Sequence, residues 1–413
     1  MIWNNFKVRP RARFYLILAL ALVTTVTGMA TGFGLFYRLL YLLVGTVLFG
    51  YIWNWLSMRN IDASAECATG QAEVGDSFRE EIFIKNTSQI PKHSLEVRDL
   101  TDMPGHYGGT VVSLYGNTSQ AWPSAIKARK RGSYSVGSIE IANGDPFGLF
   151  RRQRRFGDPR NIIVFPRTHN VMEFEIPPAD ISGDSSVRRR SHTVTPHASS
   201  VREYAPGDSL SRVHWASSAR MGKLMSKEFD LGRAAEVWIL VDLEKDIHIG
   251  ELEDSTDEYA VSIGASLAKR YLEANLPVGL IAYGDKRYFL SAETGTGQLE
   301  RVMQYLALSK TEGGVSLEEA LPKDETLWTH LSTVIVVTSS PRVDWTTALI
   351  ALARKGVKLV VVLVDAASFG APFNTLEVLG PLAEGGIAAY VVKKGDDISS
   401  ALSSDRWDRA SQR

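Results

Sequence analysis

The chain has 413 residues, which at roughly 150 per domain predicts two or three domains with real cores. Its 45% apolar and 22% charged content excludes a wholly disordered or fibrous chain, and 46 Lys+Arg against 46 Asp+Glu gives no global bias toward nucleic acid. The single cysteine, Cys67, excludes an internally disulfide-stapled secreted module and favours a reducing compartment.

The balance of charge is uneven along the chain. Residues 1–58 hold no Asp or Glu, but hold Lys7, Arg9, Arg11, Arg13 and Arg38. From Phe14 to Met58 the only charged residue is Arg38. A single helix over that stretch would be about 68 Å long, more than twice the ~30 Å hydrocarbon core of a bilayer. Two spans fit, near 14–34 and 39–57, with a tight turn around Gly32, Gly34 and Arg38. Tyr51, Trp53 and Trp55 fall where amphipathic rings favour the interface, and the basic residues ahead of the first span set the N-terminus in the cytoplasm. Two crossings return the chain there, so residues 1–60 read as a hairpin of an inner-membrane, multi-pass protein with cytoplasmic soluble domains. A cleaved signal peptide is the alternative, opposed by the second apolar stretch directly downstream. On the hairpin reading the sequons at Asn86 and Asn117 are chance matches.

Residues 61–168 read as a β-rich, sandwich-like domain. Short alternating runs such as Phe78–Lys85, Ser94–Arg98 and Ser133–Ile141 are separated by turn chemistry at Asn86–Ser88, Asp102–Gly105, Gly116–Asn117 and Asn143–Gly148. Residues 169–200 are polar, turn-rich and carry Arg188, Arg189 and Arg190, which predicts a flexible linker. From about 233 the pattern changes to apolar runs of the kind shown by buried parallel strands: Val237–Val241, Val278–Tyr283, Thr333–Thr338, Lys358–Val364 and Ala388–Val392. Helical segments alternate with them at Thr256–Asn275, Gln298–Leu308, Ser316–Leu321 and Trp345–Arg354. That alternation predicts a doubly wound α/β domain over 201–395, followed by a polar tail at 396–413.

The densest functional signal is Arg202-Glu203-Tyr204-Ala205-Pro206-Gly207-Asp208, continuing Arg212-Val213-His214-Trp215 and Ser217 to Arg220. Pro206-Gly207 suits the centre of a type II turn, and Asp208 is placed to cap a helix from Ser209 to about Ala219. His214 and Ser218 would then lie one turn apart, so a hydrolase using His214, Asp208 and Ser218 is one reading. A nucleophile in mid-helix lacks the strained elbow and oxyanion donors of acyl transfer, so capping, ion pairing and packing are the competing reading.

Together with Lys227-Glu228-Phe229, Lys130-Arg131-Gly132-Ser133-Tyr134, Gly144-Asp145-Pro146-Phe147-Gly148-Leu149-Phe150 and Val164-Phe165-Pro166-Arg167, this signature resembles the domain of unknown function 58 family. The resemblance implies a membrane-anchored protein with a β domain and a von Willebrand factor A-like domain, associated with MoxR-type AAA+ ATPases and transglutaminase-like proteins. It points to a non-catalytic adaptor or scaffold with Arg202, Glu203, Tyr204, Pro206, Gly207, Asp208, Arg212, His214, Trp215 and Arg220 as its interaction signature.

A-like domains often hold a divalent cation through Asp-x-Ser-x-Ser at the end of the first strand, a Thr and a later Asp. Here Asp242 matches, while Glu244 and Asp246 replace both serines, Val315 stands where the threonine is expected, and Thr338-Ser339 where the Asp would be. Asp242, Glu244 and Asp246 therefore form a degenerate set. It leaves two expectations: no cofactor, or weak Mg²⁺ or Ca²⁺ binding in a metal-dependent, adhesion-type module. Basic residues Lys127, Arg129, Lys130, Arg131, Arg151, Arg152, Arg154 and Arg155 cluster late in the β domain. With neither aromatic interleaving nor a reader motif, the sequence predicts no nucleic-acid binding, and anionic lipid or ordinary solvation accounts for them. There is no P-loop, dinucleotide-binding glycine motif or zinc-ligand cluster.

Overall fold

The computed structural model describes residues 7–10, 12–67, 71–106, 108–172, 174, 198–204, 213–229 and 236–403. The chain divides into two compact units, Met1–Arg167 and Thr168–Arg413.

The first unit opens with a short strand, Lys7–Pro10, and two helices, Ala12–Thr31 and Gly34–Met58. Both helices are long and apolar enough to cross a membrane. Leu16, Leu22, Met29, Tyr41, Leu42 and Ile52 stand exposed on them. The hydroxyls of Thr25, Thr27, Thr31 and Thr46 donate to carbonyls one turn back, at 2.7–2.8 Å, so these polar side chains are satisfied without water. The connection is Gly32 and Phe33, and Arg38 lies within the second helix rather than at the turn. The left-handed conformation favours glycine, and Gly32 (φ +66°) adopts it, which moves the turn ahead of the expected position.

Three sheets follow. Ile61–Cys67, Ser77–Asn86 and Ser119–Lys127 form one antiparallel sheet. A five-stranded sheet runs Lys7–Pro10, Phe150–Phe156, Ile139–Gly144, Lys92–Asp99, Gly109–Leu114. The third is mixed: Arg160–Phe165 pairs parallel with Gln71–Glu73 and antiparallel with Gly132–Val136. Strict alternation turns Phe78, Ile82 and Ile84 inward: Ile82 and Ile84 pack in one cluster with Leu95, Val97, Ile139, Ile141, Met58 and Ile61, and Phe78 in a second with Ile126, Ile162 and Val164. The run expected at Ser133–Ile141 is two strands. Gly137 (φ +86°) breaks the ladder, and its N–H donates to the buried Glu80 carboxylate at 2.8 Å.

In the second unit a six-stranded sheet has the order Arg287–Glu293, Val278–Tyr283, Val237–Asp242, Thr333–Thr338, Lys358–Val364, Ala388–Val392. All neighbours are parallel except the Arg287–Glu293 edge strand. Helix Thr256–Glu273 packs over the face bearing Ile239 and Val241. The face bearing Trp238 and Leu240 packs with Leu317–Asp324, Asp344–Arg354 and Leu379–Glu384, around Trp345. Burial on both faces explains why these strands read as continuous apolar runs. Part of the expected linker belongs to this unit: Val171 and Phe174 are buried, Phe174 lies 4.8 Å from the Tyr390 ring, and His169 N donates to Ser266 Oγ. Arg188, Arg189, Arg190 and the tail from 404 lie outside the described residues.

Candidate functional site at the carboxyl ends of the strands

The first strand of the sheet, Val237–Asp242, is central. The chain next builds the strands on one side of it, then crosses to Thr333–Thr338 on the other. Such a reversal of strand order leaves a crevice at the carboxyl ends of the strands, where open α/β sheets bind ligands. Asp242, Glu244, Thr338, Ser339 and Arg342 meet there.

Asp242 is fully buried. Its Oδ2 accepts from Thr338 Oγ1 at 2.7 Å and its Oδ1 from the Glu244 N–H at 3.2 Å. Burial pushes the Asp242 carboxyl up to about 7, against the downward pull of those two donors. Glu244, also buried, receives a two-pronged ion pair from the Arg342 guanidinium, Nη2 to Oε1 at 2.6 Å and Nη1 to Oε2 at 3.1 Å. That pair raises the Arg342 pKa, and Glu318 lies 3.8 Å from Nη1. His248 is held through both ring nitrogens, Nε2 on the Asp242 carbonyl at 2.9 Å and Nδ1 with Thr256 Oγ1 at 3.0 Å. The Ser339 hydroxyl donates to the Ile247 carbonyl at 3.0 Å and sits 3.3 Å from His248 Nδ1.

The three acidic residues singled out in the sequence do not converge. Asp242 and Glu244 share the crevice floor, whereas Asp246 lies exposed in the 3-10 turn Lys245–Ile247. A divalent cation ligated by Glu244 would have to compete with the two-pronged Arg342 guanidinium for its carboxylate oxygens. Among the described residues, no group of three or more His, Cys, Asp or Glu is arranged to hold a metal ion. Beside the crevice an open pocket of about 630 Å³ is lined by Tyr283, Lys286, Arg287, Glu312, Gly313 and Asp324, among others. Its buried acid is engaged, because Tyr283 Oη and Arg287 Nη2 each donate to Asp324 at 2.6 Å.

The signature segment lies elsewhere in the same unit and builds a hairpin with a helical insert. Ala198–Glu203 pairs antiparallel with Met225–Phe229, setting Arg202 opposite Ser226 and Glu203 opposite Met225. Tyr204 N donates to the Leu224 carbonyl. The helix is Trp215–Met221, shorter than the expected span from Ser209. Its N-cap is His214, whose Nδ1 accepts from Ser217 N at 3.1 Å, and Gly222 (φ +67°) ends it. Ser218 Oγ donates to the His214 carbonyl and accepts from Met225 N, so both groups of the supposed Ser–His pair bond to backbone. Trp215 and Arg220 are exposed, Trp215 at 67%. Pro206, Gly207, Asp208 and Arg212 lie outside the described residues.

His248, Arg342 and Glu318 escaped the sequence reading. Only the position of Arg342, four residues past the end of a buried strand at a strand-order reversal, could have drawn attention to it.

The family model and the curated relative that this chain resembles are both described without an activity. This chain is 22% identical over 306 residues to the uncharacterized protein YeaD of Bacillus subtilis (strain 168), covering 70% of this chain and 74% of that protein. Among solved structures, it is similar to the Deinococcus radiodurans RO (RSR) protein at 19% identity and a TM-score of 0.26, covering 41% of this chain and 34% of that one. It is similar to proximal thread matrix protein 1 of the mussel byssus at 11% identity and a TM-score of 0.28, covering 41% and 46%. The chain thus spans less than half the length of either solved structure, and these scores carry no argument about fold. Residues 200–380, which include most of the signature hairpin, the acidic crevice and five strands of the six-stranded sheet, match the family described as protein of unknown function DUF58.

Proposed function

We propose that this protein is a non-catalytic adaptor of the cell (inner) membrane, anchored by two spans with its soluble units in the cytoplasm. In this reading the second unit is von Willebrand factor A-like and presents its strand-end face to a protein partner, a MoxR-type AAA+ ATPase, with a transglutaminase-like membrane protein as a second associate. The observation that carries it is the internal closure of the crevice. Arg342 neutralises Glu244, Thr338 engages Asp242, and His248 is bound at both nitrogens, so the groups best suited to acid–base or metal chemistry are already spent on one another. The family resemblance supports the partner class, by analogy.

The metal-dependent adhesion reading requires a cation to replace Arg342 on Glu244. The hydrolase reading requires His214 to serve Ser218, whereas its ring caps the helix at Ser217. Docking is tested by mild crosslinking in native membranes, purification of the protein, and mass spectrometry of what accompanies it. The exposed positions Asp246 and Val343 flank the crevice, so Asp246→Lys with Val343→Asp makes the control. Enrichment of an AAA+ ATPase that the double variant loses supports the proposal. No ATPase above background with a folded bait, or equal recovery by the variant, overturns it.

A further inference from the structure

The foot of the helical hairpin is built into the β unit through one turn. Gly50, Asn54, Ser57 and Met58 line the buried face of the second helix. Asn54 Nδ2 donates to the carbonyls of Asn143 and Phe150 at 3.3 and 3.4 Å. A Cβ on Gly50 would come within 3.3 Å of Asp145 Oδ2, so a glycine lets the turn lie close against the helix. The Phe150 ring packs against Phe14 of the first helix, at 5.3 Å between centroids, and Tyr51 of the second, at 5.9 Å. Phe147, 44% exposed, packs edge-on against Phe49 at 6.0 Å.

Helix lengths give the depth of these contacts. The first helix, 20 residues, is about 30 Å long, equal to the hydrocarbon thickness, so Ala12 lies at its near boundary and Phe14 about 3 Å inside. The second, 25 residues or about 37 Å, overshoots by about 7 Å, which sets the same boundary near Asn54. Phe49 is then about 7 Å inside that boundary. Two helices thus independently place the Phe150 ring near the edge of the hydrocarbon, and the contact with Phe49 of the second places the Phe147 ring deeper. The turn is chemically fit for that depth. The Asp145 carboxylate accepts from the N–H groups of Phe147, at 2.9 Å, and Phe150, at 2.5 Å, and the Gly148 N–H donates to the Asp145 carbonyl at 3.0 Å. A charged residue and three backbone donors are satisfied within the turn, leaving an aromatic ring outermost. Arg13, exposed beside Gly148, stands at headgroup level.

We infer that the turn Asp145–Phe150 is a third membrane contact of this chain, an interfacial anchor whose Phe147 ring enters the edge of the acyl-chain layer. The inference rests on the two helices being membrane spans. The test uses the full chain with Cys67→Ser and one new cysteine, at Phe147, at Leu42 in mid-span, or at Tyr115, 76% exposed in the β unit. Each is labelled with an environment-sensitive NBD probe and reconstituted in phosphatidylcholine/phosphatidylglycerol vesicles, after its melting temperature in detergent is matched to the parent. The Phe147 site should show blue-shifted emission and lose fluorescence to lipids spin-labelled on the upper acyl chain, while Leu42 responds to the lower-chain label and Tyr115 to neither. A Phe147 site that behaves like Tyr115 while Leu42 is quenched overturns the anchor and leaves the spans. An unquenched Leu42 overturns the spans and the anchor with them.

Discussion

Replacing Asp242 by Asn should change how the stability of the second unit depends on pH. The carboxyl of Asp242 sits at about 7 in the folded protein against 3.8 in the open chain, because burial disfavours its charge. A group whose folded pKa is raised contributes stability that is complete in acid and lost as pH rises through the folded value. Between pH 5 and pH 8 the parent should therefore lose about 2–3 kcal/mol on account of this one group. Asn mimics the protonated acid, since its Oδ1 can accept from Glu244 N and its amide can donate to Thr338 Oγ1. The variant should match the parent below about pH 4, and between pH 5 and pH 8 it should gain a further ~5–10 °C in melting temperature over the parent, at roughly 2–4 °C per kcal/mol for a unit of this size. Tryptophan emission in detergent is a suitable reporter, because Trp238, Trp328 and Trp345 are all buried in this unit's core. Melting curves of parent and variant that stay parallel from pH 5 to pH 8 would refute the buried-acid account.

Three further outcomes follow from the same interactions. Arg342→Met should cost about 2 kcal/mol by thermal melting, the cost of stranding a buried carboxylate discounted for the part-exposed arginine; Glu244→Gln in that background should recover roughly half. In the first unit, Glu80 is pushed up to about 7 from 4.5, chiefly by burial and then by Asp99, so Glu80→Gln should raise stability at pH 8 relative to pH 5 by about 2 kcal/mol. His214→Ala removes a helix cap and should cost about 1 kcal/mol on melting, and a serine-reactive probe should leave Ser218 unlabelled in parent and variant alike.

The parts of the fold legible in the sequence are those whose burial is uniform. Val278–Tyr283, Thr333–Thr338, Lys358–Val364 and Ala388–Val392 are buried in a sheet covered on both faces, and their apolar runs end where the strands end. The antiparallel edge strand Arg287–Glu293 went unread because its inner positions, Tyr288 and Leu290, alternate with exposed or half-exposed ones over too short a span. The helix expected from Ser209 begins at Trp215 because a histidine supplies the cap, a role that sequence rules give to Ser, Thr, Asp or Asn. Glu80 carried a visible signal, an acid in the inward register of Phe78 and Ile82, but the partners that meet it there, the Gly137 N–H and the Asp99 carboxyl, follow from no local pattern. At the crevice, Asp242 could be found from the end of its strand. Arg342 had only its place just past a buried strand to mark it, because its partner Glu244 is 98 residues away in sequence and no local pattern joins them.

The most direct test of the central claim, that an arginine of the chain closes the acidic crevice in place of a bound cation, is thermal unfolding of the full protein in EDTA and in millimolar Mg²⁺ or Ca²⁺, with Asp242→Ala alongside. The account predicts the same melting temperature for the parent under all three conditions. A cation-dependent rise in the parent that Asp242→Ala abolishes would contradict it.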